Sequence, residues 1–156
     1  MEVRTGAVLT ARRKRSLTDP QAWIFLSVGD AGGASDWTDL DKVIGMADSN
    51  NHAIPSVAEL RQAVRLLTGA DLVERDGNRL RLTPSGSETY RTVNAVREGH
   101  ITRFLNLTKA WEAAPPLQVA AQDDWPLTDE DFRTSWDAYH ERFWDTYRKL
   151  KEEGRM

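Results

Sequence analysis

Four arginines and a glutamine near the middle of the chain, Arg61, Gln62, Arg65, Arg79 and Arg81, carry donors suited to reading a polyanion. A guanidinium presents parallel N–H groups that match the acceptor pair on a guanine edge or two phosphate oxygens, and a glutamine amide matches an adenine edge. A good bidentate contact of this kind is worth on the order of 1–3 kcal/mol of discrimination. The spacing sorts the five residues into two groups. Arg61, Gln62 and Arg65 fall, with Ala58, opposite the apolar positions Leu60, Ala63, Val64 and Leu67 of a helical repeat. Arg79 and Arg81 alternate with Leu80 and Leu82, so a strand here turns the arginines outward while the leucines face a core. Ser56, just before the helical repeat, adds a helix N-terminus that can meet phosphate.

The elements that must hold these residues are written locally. Ser56 and Glu59 have the S-x-x-E spacing of a capping box and Pro55 can staple against Leu60, which starts a helix at Val57 and carries it to Thr68. Two short runs, LVER and RLRLT, are joined by Asp76-Gly77-Asn78, a composition that supplies positive φ for a tight hairpin over residues 72–83. Thr83-Pro84 then reads as an N-cap followed by proline at the first helical position. Helix, hairpin, helix is the core of a winged helix-turn-helix. Upstream, Thr18 or Asp19 caps a first helix from Pro20 to about Val28, rich in Trp23, Ile24, Phe25 and Leu26. Gly29–Ser35 reads as a flexible connection. Trp37, Leu40, Val43, Ile44 and Ala47 share one face of a second helix from about Asp36 to Asp48, which leaves Ser49–Pro55 as a long turn unless that helix continues into it.

Beyond the hairpin, residues 87–111 are helical in pattern, with Tyr90, Val93, Val96 or Arg97, Ile101, Phe104 and Leu105 as the apolar stripe and Gly99 as a bend or break. Pro115-Pro116 ends that run, and the connector after it contains Asp123-Asp124, which reads as solvated. Thr128 then caps a last helix with acids in its first turn, Arg148, Lys149 and Lys151 near its end, and a long aromatic stripe of Phe132, Trp136, Tyr139 or His140, Phe143, Tyr147 and Leu150. The expected organisation is a flexible basic arm over residues 1–17, a winged helix-turn-helix over 18–98 and C-terminal helices over 99–156. The fold class is mainly α with a small β-hairpin. The aromatic helix either closes the monomer core or joins two protomers.

The residues A-V-R-L-L through L-V-E-R-D-G-N-R-L-R-L-T-P-S-G, set in this order of elements, resemble the winged-helix transcription regulators of the MarR and PadR type over about Pro20 to Tyr90. Such proteins commonly read A-G-L-V before the first wing strand, with glycine in the left-handed conformation. Here Asp71 stands at that place, and aspartate tolerates that conformation better than most residues. The phrase N-H-A-I-P-S-V-A-E-L is similar to one in uncharacterised bacterial winged-helix proteins. The resemblance implies a transcriptional regulator that binds duplex DNA, with helix 57–68 in the major groove, hairpin 72–83 as the wing, and Ser56, Arg61, Gln62, Arg65, Arg79 and Arg81 as DNA contacts.

Composition narrows the other classes. The chain has 156 residues and no cysteine, which excludes thiolate metal sites, cysteine nucleophiles and disulfides. His52, His100 and His140 are scattered without a metal-ligand motif, and the glycines at 29, 32 and 33 lack the lysine of a phosphate-binding loop. No nucleophile elbow or singled-out carboxylate pair is present, so neither an enzyme nor a cofactor is expected. The N-terminus has at most a five-residue small or apolar run before its basic cluster, unlike a signal peptide, and no segment approaches membrane-spanning length, so the expected placement is cytoplasmic, without membrane contact. Net charge is −3, yet residues 56–97 hold seven arginines against five acids. So small a surplus gives a monomer weak phosphate-driven affinity, and a homodimer would double the contacts. The acids Asp36, Asp39, Asp41 and Asp48 support a competing reading, a winged-helix module for protein contacts without DNA binding.

Overall fold

The computed structural model describes residues 17, 19–95, 99–117 and 124–155. The first helix, α1 (Asp19–Val28), is buried on all sides, with Gln21 through Val28 all inside, Gln21 and Ser27 included. A helix whose every face is mostly apolar must be surrounded, and α1 packs on the helices Leu40–Asn51, Val57–Gly69 and His100–Ala113. Leu17, expected to belong to the basic arm, is also buried in this core. Residues 1–16 and the alternative cap Thr18 lie outside the described residues.

The chain does not pass from α1 into a flexible connection. Gly29–Gly33 continues as a π-helical turn that kinks at Gly32. A two-residue strand follows, β1 (Thr38–Asp39), where a helix was expected to start at Asp36. Thr38 is held there by its hydroxyl, which donates to the Ala31 carbonyl at 3.0 Å. Asp39 remains extended, and α2 runs from Leu40 to Asn51. The continuation of α2 past Asp48 shortens the following turn to His52–Ser56. His52 stands in the left-handed region at φ 52° and its backbone N–H donates to the Asp48 carbonyl.

Helix α3 (Val57–Gly69) buries Leu60, Ala63, Val64, Leu66 and Leu67. Two residues past its end stands Asp71, whose φ of 60° is the left-handed geometry expected of that position. The strands β2 (Val73–Asp76) and β3 (Arg79–Leu82) form the hairpin across Gly77–Asn78. β1 pairs antiparallel with β3, Thr38 opposite Leu80, so the sheet has three strands in the order β1-β3-β2. The mainly helical expectation with a small hairpin therefore holds, with one more strand than expected.

After Thr83, whose hydroxyl accepts from the Gly86 N–H, α4 covers Pro84–Asn94. The helical run stops at Asn94, and α5 spans His100–Ala113 with Gly99 as its N-cap. The inward line of α5 is Arg103, Leu107 and Trp111, whereas Ile101 and Leu105 are 75% and 52% exposed. Of the expected stripe, Tyr90, Val93 and Phe104 face the core but Ile101 and Leu105 do not, because the helix stops at Asn94 and restarts at His100. Val96 and Arg97, also assigned to that stripe, lie outside the described residues. Helix α6 (Asp129–Glu152), capped by Thr128, lies against α2 and has no fully buried residue. Phe132, Trp136 and Tyr139 pack on the core, while Phe143 and Trp144 are exposed.

Candidate nucleic-acid interface

The capping box forms as its residue types require. The Ser56 hydroxyl accepts from the Glu59 N–H at 3.0 Å, and the Ser56 N–H donates to the Glu59 carboxylate at 2.9 Å. The hydroxyl is therefore committed to its own helix. Arg61, Gln62 and Arg65 all emerge on the exposed side of α3. That side is not bare. The Arg61 guanidinium donates to the Leu127 carbonyl at 2.9 Å, and Arg65 stands 3.4 Å from the Asp124 carboxylate.

Both partners belong to Asp124–Leu127, an irregular segment just before α6, which crosses α3 and reaches the hairpin turn. Trp125, 2% exposed, donates its indole N–H to the Asn78 side chain at 2.9 Å and lies beneath the Arg75 guanidinium, 5.7 Å from the ring centroid. Leu127 is fully buried in the core, which on its own stabilises the segment by about 1.5–3 kcal/mol. Beside Trp125, a polar groove lined by Arg65, Thr68, Glu74 and Arg75 runs between α3 and β2. Asp123-Asp124 was expected to be solvated. Asp124 is exposed but paired with Arg65, while Asp123 lies outside the described residues.

The opposite face of the hairpin carries the other two arginines. Leu80 and Leu82 are buried and Arg79 is exposed, as alternation requires. Arg79 pairs with Asp76 at 2.7 Å and Arg81 with Glu74 at 3.3 Å. Their guanidinium carbons stand 5.4 and 4.4 Å from the centroid of the Trp37 ring, so one half-buried indole carries both cations. Arg61, Arg65, Arg79 and Arg81 thus each have an oxygen partner, and the two pairs occupy different surfaces. Sequence reasoning missed Trp37, Arg75 and Trp125. The only local signal was an aromatic residue next to acids or arginines.

A second concentration of charge lies behind the sheet. Asp30, in the π-helical turn, receives both terminal nitrogens of Arg103 at 3.0 and 2.8 Å, the Tyr90 hydroxyl at 2.5 Å and the Asn50 amide at 2.9 Å. Arg103 also donates to Asn94 at 2.8 Å and is 3.0 Å from His100 Nδ1. Burial alone would raise the Asp30 carboxyl, but the donors from Arg103, Tyr90 and Asn50 outweigh it and hold it below the usual value. Burial and the Asp30 charge together raise the Tyr90 phenol. A carboxylate with these donors ties the π-helical turn to α2, α4 and α5 as a clamp between helices.

Next to this clamp, a cleft of about 400 Å³ opens between α1, α2 and α5, with Trp23, Leu26 and Phe104 on its walls. A similar carboxylate-to-phenol contact secures α6: the Tyr139 hydroxyl donates to Asp48 at 2.6 Å, and burial with that contact pushes its pKa up to about 12. Arg142 pairs with Asp41 on the same helix–helix surface. Among the described residues, no group of three or more His, Cys, Asp or Glu is placed to hold a metal ion, and no helix is long and apolar enough to cross a membrane. No known protein family, curated protein or solved structure gives a match to this chain.

Proposed function

We propose that this protein is a winged-helix transcriptional regulator that binds duplex DNA through α3 and the β2–β3 hairpin. The observation that carries the reading is topological. The elements run α1, β1, α2, α3, β2, β3, and β1 returns to pair with β3, which is the arrangement a winged helix-turn-helix requires. The five-residue turn between α2 and α3 adds to it, as do a capped α3 bearing Arg61, Gln62 and Arg65 and a hairpin bearing Arg79 and Arg81. Titration of labelled long duplex DNA at low salt tests it, and no binding under those conditions sinks the reading. Where binding occurs, Arg61→Ala and Arg65→Ala relax sequence preference.

The same reading includes a homodimer built on α6. Exposed Phe143 and Trp144 need a cover, and the helix is acidic at its start (Asp129, Glu130, Asp131) and basic at its end (Lys149, Lys151). Two copies packed antiparallel would set each acidic turn against a basic one. Light scattering that gives a monomer mass at tens of micromolar counts against it. A module for protein contacts is the second reading. The specific observation in its favour is that each of the four arginines already has an oxygen partner within the chain.

A further inference from the structure

Asp124–Leu127 occupies the surface that α3 and the hairpin turn need for a polyanion. Three kinds of contact hold it there, and each imitates one that a nucleic acid makes. The Asp124 carboxylate takes Arg65 as a phosphate oxygen would. The Leu127 carbonyl accepts from Arg61 as a base-edge acceptor would. The Trp125 indole stacks under Arg75 and reaches Asn78 at the tip of the hairpin, filling the gap between helix and wing. The segment therefore uses the donors of α3 itself. Arg61 and Leu127 are 66 residues apart in sequence, so this is a tertiary placement and not a consequence of chain proximity.

We propose that Asp124–Leu127 is an intrachain competitor for the DNA-binding face, a strap that must lift before α3 can enter a groove. The proposal rests on the DNA-binding reading above and adds its regulation. A protein whose competent form is a minor population binds with an affinity reduced by that population, so loosening the strap raises apparent affinity without adding any contact to DNA. The strap leads directly through Thr128 into α6, whose middle is fastened to α2 by Tyr139–Asp48 and Arg142–Asp41. Lifting therefore involves Asp124 and Trp125 first, while α6 stays docked.

The test compares wild type, Trp125→Ala and Asn78→Ala in titrations with the same labelled duplex of mixed sequence at low salt, each variant checked for an intact melting transition. Neither substitution changes the charge, so a gain in affinity is not a simple electrostatic effect. Asn78 is exposed in the turn, so Asn78→Ala serves where Trp125→Ala fails to fold. The expected result is at least about tenfold tighter binding by Trp125→Ala, a smaller gain by Asn78→Ala, and faster amide hydrogen exchange across 124–128 of the wild type when DNA is added. Equal or weaker binding by the variants, with wild type bound, overturns the strap and leaves the DNA reading standing. No binding by any of the three overturns the DNA reading and the strap with it.

Discussion

Arg103 and the arginines of α3 and the hairpin are chemically the same group, all with oxygen partners, yet they do opposite work. Arg103 and Asp30 are 9% and 14% exposed, and their partners come from the π-helical turn, α2, α4 and α5. Arg65 and Asp124 are 55% and 83% exposed, and Arg79 and Asp76 are 49% and 63% exposed. A buried guanidinium that loses its carboxylate has nowhere to turn, whereas an exposed one exchanges its partner for water or for a phosphate at little cost. Burial separates an arginine that fixes the fold from one that remains available for exchange.

The comparison breaks first at Asp30. Asp30→Ala leaves Arg103 buried without its counter-charge and is expected to cost about 3–5 kcal/mol in urea unfolding. A loss below about 1 kcal/mol would place the cluster among the surface pairs. The same cluster has a pH signature. Because the folded Asp30 carboxyl is held below its usual value, its stabilisation is present above the unfolded pKa, about pH 4, and is lost as pH falls through the folded value. Wild type should therefore lose stability more steeply below about pH 4 than Asp30→Asn, and parallel acid-unfolding curves would contradict this. Ser56→Ala removes one cap and should cost about 1 kcal/mol by thermal or urea unfolding, with its effect confined to α3. Smallest is the effect on stability of Arg79→Ala or Arg81→Ala, within about 1 kcal/mol each, since their ion pairs are exposed. On the proposed DNA-binding function, their expected signature is instead a salt dependence of DNA affinity that is shallower by about one counterion for each arginine removed. A loss of stability larger than that of Ser56→Ala would mean that the Trp37 stack is part of the core.

What was legible in the sequence was what short segments decide for themselves. The Ser56–Glu59 box, the Thr83 and Thr128 caps, the left-handed Asp71 and the alternation of Arg79, Leu80, Arg81 and Leu82 all depend on neighbours within a few residues. β1 was not legible, because two residues have no periodicity and become a strand only once β3 is beside them. The strap and the Asp30 clamp were illegible for the same reason at longer range, with partners 66 and 73 residues apart. Of the candidate site, the arginines were visible, and Asp76 and Glu74 lie beside Arg79 and Arg81 in the same hairpin, but the distant partners of Arg61 and Arg65 were not. A carboxylate among glycines reads as a linker until Arg103 arrives from α5.

That glycine-rich turn has a consequence for how the chain tolerates change. A Cβ at Gly29 would lie 2.3 Å from the Tyr90 ring, and one at Gly33 would lie 2.6 Å from Val28. The stretch that looks most like spacer is therefore among the least replaceable. In a library of random substitutions, even alanine should be rejected at both positions as firmly as a charged residue at Ile24 or Phe25. Exposed sites on α6 such as Asp137 would accept many replacements.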